Sequence, residues 1–215
     1  MRMIRLPEEA LQGPRLRLRP LEQEDCDRMR LWKENVSPLL LGYNYGTLTQ
    51  KEREFWYRSK REAGSRYLAM DIEDHPFIGF LGIKHLQLLR RRAEFGIVLD
   101  PAFQSRGYGR EGMELFLDHC FRVWELREIY LRCNRFNHQA QALYQKLGFQ
   151  RQGEEEEPFE NQDLAKDPAL YAGEEDAFFL HHGIVYAKLW KMTLHQEDFA
   201  SSLRREHSHG HGAGI

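Results

Sequence analysis

The stretch Glu94-Phe95-Gly96-Ile97-Val98-Leu99-Asp100-Pro101-Ala102-Phe103-Gln104-Ser105-Arg106-Gly107-Tyr108-Gly109, followed at once by Arg110-Glu111-Gly112-Met113, decides how the chain is read. Phe95 to Leu99 is a short apolar run stopped by Asp100-Pro101, which predicts a buried strand. A loop with two glycines follows, and then Met113, Phe116, Leu117, Cys120 and Val123 or Trp124 recur at three- and four-residue spacing, which predicts an amphipathic helix. A strand, a glycine loop and a helix start together make an anion site. The first turn leaves backbone N–H groups unpaired and carries the positive end of the helix dipole, so a phosphate there gains hydrogen bonds and charge stabilisation together. Gly107 and Gly109 lack the Cβ that would hold the phosphate off.

Two common phosphate motifs do not fit. No Gly-Lys-Ser/Thr follows, as a P-loop requires. Gly107, Gly109 and Gly112 satisfy the spacing Gly-x-Gly-x-x-Gly, but about 20 residues on, where a dinucleotide fold places an acid, the chain reads Glu128-Ile129-Tyr130-Leu131-Arg132.

Gln104-Ser105-Arg106-Gly107-Tyr108-Gly109 closely resembles the acyl-CoA loop Gln/Arg-x-x-Gly-x-Gly/Ala of the GNAT superfamily of N-acetyltransferases. The strand ending in Asp100-Pro101 before it, and Asn137, Ala140, Tyr144, Lys146, Gly148 and Phe149 after it, stand as they do in that superfamily. The chain most resembles the branch that acetylates ribosomal-protein N-termini, the Rim-like branch, from Leu16 to Gly153 and again, more weakly, from Gly183 to Leu194.

The resemblance implies an α/β fold with a mixed, mostly antiparallel sheet of six or seven strands, open between the fourth and fifth, and helices on both faces. It implies acetyl-CoA as co-substrate, no metal, and direct transfer of acetyl to a primary amine. Backbone groups of Ile97, Val98 and Leu99 would run along the pantetheine, and a local splay or bulge there would aim an N–H at the thioester oxygen. Ser105, Arg106, Gly107, Tyr108, Gly109 and Arg110 would hold the pyrophosphate. Asn137 matches the asparagine near the pantetheine, and Tyr144 the tyrosine that protonates the departing thiolate. Some relatives carry a basic glutamate where this chain has Arg132, so Glu94 is the candidate base. Lys188 stands where the Rim-like branch often has aspartate. The acceptor is read as a protein N-terminus, with a polyamine or an amino sugar as the alternative. Loss of transfer with retained acyl-CoA binding is a third reading, motivated by Arg132 and Lys188.

With 41% hydrophobic and 30% charged residues in 215, the chain reads as one globular domain over 1–199. It shows neither a membrane-spanning run nor a secretory leader, so a cytoplasmic location is expected, without a membrane partner. A net charge of −2 gives no global drive toward nucleic acid. Cys26, Cys120 and Cys133 are odd in number and scattered, which predicts buried thiols and neither a disulfide framework nor a zinc site. A homodimer is compatible with all of this.

Arg15-Leu16-Arg17-Leu18-Arg19 alternates as a half-buried strand does, and Thr49-Gln50-Lys51-Glu52 opens a helix with a capping box. Residues 154–182 carry ten acids against Lys166. They read as a solvated insertion, or as an acidic wall that draws a cationic amine. Residues 200–215, rich in histidine and glycine, read as a disordered tail with incidental metal affinity.

Overall fold

Leu16 and Leu18 are buried while Arg17 is exposed, so the first alternating run does form a strand with one face inward. The structure, a computed structural model, describes residues 4–7 and 9–209, with the backbone alone at 168 and 203–209. The chain divides into two compact units between Glu125 and Leu126.

The first unit holds β1 (Leu11–Gln12), β2 (Leu16–Pro20), α1 (Gln23–Arg28), α2 (Gln50–Lys60), β3 (Arg66–Ile72), β4 (His75–Gln87), β5 (Arg92–Leu99) and α3 (Tyr108–Arg122). Its strands pair in chain order and every pair is antiparallel. Helices cover both faces. On one, Met113, Phe116, Leu117 and Cys120 of α3 are fully buried, and the Phe116 ring lies 6.0 Å from that of Phe95. Gly112 lets α3 approach this closely, because a Cβ there would fall 2.6 Å from the Met70 Cε. On the other face Trp32, Tyr67, Phe77 and Phe80 are buried, with Tyr45, Trp56 and Tyr57 packed against them. The Trp32 indole donates to the Phe77 carbonyl at 3.1 Å, so its one polar atom is satisfied in the core. The expected capping box holds: the Glu52 carboxylate accepts from the Thr49 N–H at 2.7 Å.

The second unit holds β6 (Glu128–Asn134), α4 (His138–Lys146), β7 (Gln150–Pro158), β8 (Phe178–His181), β9 (Ile184–His195) and α5 (Gln196–His209). β9 runs antiparallel between β6 and β7. β6 pairs with residues 189–195 of β9 and β8 with 184–187, so β8 continues the β6 edge where β6 stops.

Nine strands are thus present among the described residues rather than six or seven. The two additional ones are β1, only two residues long, and β8, inside the stretch read as an insertion. That stretch does not begin at 154 as a solvated loop. Glu154 to Glu157 belong to β7 and pair with Trp190, Leu189, Lys188 and Ala187 of β9. Beyond Pro158 the segment makes three short 3-10 turns and then β8. Phe136, Phe159 and Phe178 pack on one another there and Tyr171 packs on Phe178, with ring centroids 5.1 to 5.8 Å apart. The segment therefore carries its own apolar cluster, which a reading by charge overlooks.

The tail also differs from expectation. The backbone is helical through His209, and the helix starts on buried Phe199 and Ser202, whose hydroxyl donates to the Leu147 carbonyl at 3.2 Å. The remaining tail, 210–215, lies outside the described residues. No helix among the described residues is long and apolar enough to cross a membrane.

Candidate active site

The strand stop works through a buried side chain. The Asp100 carboxylate, 5% exposed, accepts from the Ala102 N–H at 2.9 Å and from the Lys33 N–H at 3.1 Å, while its own N–H donates to the Ile78 carbonyl. From this anchored point the chain enters the loop. Ser105 has φ +59° and Gly107 φ +87°, two left-handed positions flanking Arg106 just before α3 begins at Tyr108. Backbone runs of this kind gather consecutive N–H groups into an anion-binding concavity. Gly109 is buried in the first turn of α3.

Arg15, at the entry to β2, holds this loop from behind. Its Nη1 donates to the Arg106 carbonyl at 3.1 Å, and its guanidinium lies 4.8 Å from the Tyr108 ring centroid. Its Nε pairs with Glu111 at 2.8 Å. Glu111 is an acid in the first turn of α3, and Arg15 offsets its charge. A Cβ at residue 107 would come 3.0 Å from the Arg15 Nη2. Of the two arginines expected at the phosphates, Arg106 lies over the Phe103 ring and Arg110 pairs with Glu114 at 2.7 Å.

β5 differs from expectation in one respect. Glu94 to Leu99 pair with Lys84 back to Gly79 without a shift, so no bulge occurs at Ile97, Val98 or Leu99 on that side. The Asp100 N–H faces β4, and alternation along the strand turns Val98 toward β4 and the N–H groups of Ile97 and Leu99 away from it. The irregular pairing lies instead between Lys84 and Gln87.

Glu94 is 6% exposed. Lys84 Nζ lies 3.2 Å from its Oε1 and His85 Nδ1 2.9 Å from its Oε2. Burial, together with the nearby Glu94 charge, pushes the Tyr67 hydroxyl up to about 12. Lys60, at the end of α2, lies over the rings of Tyr67, Trp56 and Phe80 at 4.8 to 6.0 Å. Burial there, and then the Lys84 charge, lowers its pKa below the ordinary lysine value.

In the second unit Asn137 caps α4, its Oδ1 accepting from the Ala140 N–H at 3.1 Å. Tyr144 stands two turns along the same helix, half-buried, with its ring 5.7 Å from that of Phe149. Arg132 and Lys188, the two departures from the family pattern, meet the acid strand. Arg132 pairs with Glu157 at 2.8 Å, and Lys188 sits directly across from Glu156. Arg135 with Glu154 and Lys191 with Glu155 complete the set. They are the counter-charges of β7, so they carry no argument for a site that has lost catalysis. All three cysteines are buried, and burial pushes the thiols up, to about 11 at Cys26 and about 12 at Cys133. None is a ready nucleophile.

The structure thus joins the glycine loop, β5 and Glu94 in one unit, and Asn137 and Tyr144 on one helix of the other. Reading the sequence missed Arg15, His85 and Lys60. Arg15 was one of three alternating arginines, and nothing local distinguishes it from Arg17, which pairs with Asp71 instead.

The family described as acetyltransferase (GNAT) domain matches residues 15–150. Spermidine N(1)-acetyltransferase of Escherichia coli is 26% identical over 141 residues, 65% of this chain and 75% of that protein. Ribosomal-protein-serine acetyltransferase of Escherichia coli is 24% identical over 88 residues, 41% of this chain and 49% of that one. The crystal structure of spermidine N-acetyltransferase from Vibrio cholerae in complex with CoA and spermine shares the fold, with a TM-score of 0.65 at 22% identity over 86% of this chain and 98% of that one. A match over more than half the chain, which takes in the glycine loop and the start of α3, shows that the protein belongs to the GNAT acetyltransferase family and transfers an acetyl group from acetyl-CoA to an amine.

Proposed function

We propose that the acceptor is a weakly basic primary amine, the α-amine of a protein N-terminus, and that residues 1–199 act as one acetyltransferase domain in the cytoplasm. The loop from Ser105 to Arg110 holds the pyrophosphate, backbone groups of Ile97, Val98 and Leu99 run beside the pantetheine together with Asn137, and Tyr144 returns a proton to the thiolate. The acceptor's own proton leaves toward Glu94 and the groups bonded to it.

One observation carries the choice of acceptor. On the sheet face that bears Glu94, Lys84 pairs with that carboxylate, and Lys60 lies close enough to Lys84 to feel its charge. A polyamine brings several ammonium groups into a place already cationic, whereas an α-amine, with a pKa near ~8 against ~10.4 for an alkylamine, gives up its proton more readily and brings one charge. The acidic run that would have favoured a polycation is paired with Arg132, Arg135 and Lys191.

The similarity to spermidine N(1)-acetyltransferase supports a second reading, a polyamine acceptor. CoA release from acetyl-CoA separates the two, measured with peptides bearing a free N-terminus, the same peptides blocked, spermidine and an amino sugar. The proposal expects kcat/KM for free peptides to exceed that for spermidine at least tenfold. The reverse order assigns the polyamine.

A further inference from the structure

We infer that His85 takes the acceptor's proton through Nε2, with Glu94 as the positioning residue that holds its ring. This rests on the acetyl-transfer reading and goes beyond it by naming the proton-accepting atom.

Glu94 is poorly placed to act alone. It is 6% exposed, with one oxygen held by the Lys84 ammonium and the other by the His85 ring. An ionised carboxylate only accepts hydrogen bonds, so the 2.9 Å contact places the proton of the neutral imidazole on Nδ1 and leaves the lone pair on Nε2. Nε2 has no hydrogen-bond partner among the described residues, and the His85 side chain is 64% exposed. A carboxylate that fixes the tautomer and offsets the charge on an imidazolium makes the opposite nitrogen a base ready for use.

The backbone points the same way. His85 has φ +51°, a left-handed conformation costing a non-glycine residue on the order of 1 kcal/mol or more. It lies in the irregular stretch between Lys84 and Gln87, and such bulges re-aim side chains beside functional sites. Beside the pair there is room. Gly96 lies two residues along β5 from Glu94 on the same face, and no atom of the described residues comes within 4 Å of where its Cβ would be. Its cross-strand neighbour Gly82 is covered by the Tyr67 ring, so the open place is confined to Gly96.

Lys84 on β4 pairs with Glu94 and Tyr67 on β3 feels its charge, while Arg92 lies two residues back along β5 and Lys60 on α2 feels the Lys84 and Glu62 charges. In the step, the acceptor ammonium gives one proton to Nε2. The freed nitrogen lone pair forms the C–N bond at the thioester carbonyl, and the C–S bond breaks with its electron pair on sulfur. The second nitrogen proton ends on that thiolate as CoA thiol, and the imidazolium proton goes to solvent.

Two variants test this. His85→Gln keeps a donor toward Glu94 and cannot accept the proton. His85→Gly removes the ring at a position where glycine is unstrained, so the fold is retained. Wild-type kcat/KM is expected to rise with pH along a limb that depends on the His85 ring. Both variants should lower kcat about 10²-fold and lose that limb, with acetyl-CoA affinity by calorimetry unchanged. Added imidazole should restore His85→Gly in proportion to its free-base concentration. Glu94→Gln, which can still accept from Nδ1, should lose less than His85→Gln and keep the limb at a shifted position. Wild-type kcat and pH profile in His85→Gln, or a loss in His85→Gly that imidazole does not restore, overturns the assignment. Any amine that the wild-type enzyme turns over serves as acceptor, so an error in the acceptor proposal shows in the wild-type panel and leaves this test intact.

Discussion

Arg15 and Glu111, ninety-six residues apart, meet at 2.8 Å behind the glycine loop, and the same guanidinium donates to the Arg106 carbonyl. One side chain thus braces the loop backbone and offsets the acid in the first turn of α3. Arg15 is half exposed, so its pair with Glu111 is worth no more than about 1 kcal/mol. Its effect should appear in binding rather than in the fold. Arg15→Ala is expected to raise KM for acetyl-CoA about threefold to tenfold with kcat nearly unchanged, and Arg15→Lys to recover only part, because an ammonium lacks the fork that reaches two partners. Steady-state kinetics at saturating acceptor decides it; an unchanged KM would reduce Arg15 to a surface residue.

Gly109→Glu puts a bulky anion on a buried position in the first turn of α3. Acetyl-CoA binding should be lost in calorimetry on the folded variant. Retained affinity would mean that the pyrophosphate is held elsewhere.

Tyr144→Phe keeps the ring that meets Phe149 and removes the hydroxyl. A thiolate of pKa near ~8.5 leaves tolerably well unaided, so kcat should fall toward the lower end of the ~10²- to 10⁴-fold range, with acetyl-CoA affinity intact. Equal turnover where chemistry limits would leave Tyr144 a packing residue.

Replacing Glu154 to Glu157 with glutamine removes β7 from its pairs with Arg132, Arg135 and Lys191. Those pairs are partly exposed, so denaturation should show a loss of at most about 1 kcal/mol each. The acceptor KM and its salt dependence should stay as they were. A raised KM with a flatter salt slope would restore the acidic wall as an amine-steering surface.

The loop and its helix were legible because their signals are local: Asp100-Pro101 ends the strand, the glycines mark the turn, and Met113, Phe116, Leu117 and Cys120 show the period of α3. The acid strand was misread because runs of glutamate disfavour sheet by composition, and its counter-charges come from residues distant in sequence, Arg132 and Arg135 before it and Lys188 and Lys191 of β9 after it. β8 is four residues long and depends on the same partner. His85 was invisible for a third reason. Its reach to Glu94 comes from a left-handed backbone inside an irregular pairing, and neither leaves a mark in residue order. Glu94 was chosen from its place on the strand, while Lys84 and His85 reach it from the adjacent strand.

Asp100 gathers the end of β5, the first turn after it and the main chain at Lys33 onto one carboxylate. Lys33 follows Trp32, whose ring sits in the aromatic floor on the Glu94 face, while Ala102 leads into the phosphate loop. Slack introduced at this single residue would reach the proposed donor loop and the proposed acceptor face together. A survey sorting variants by which substrate they weaken would find Asp100 in both groups, although it touches neither, because it is the shared hinge pin from which both ends are hung.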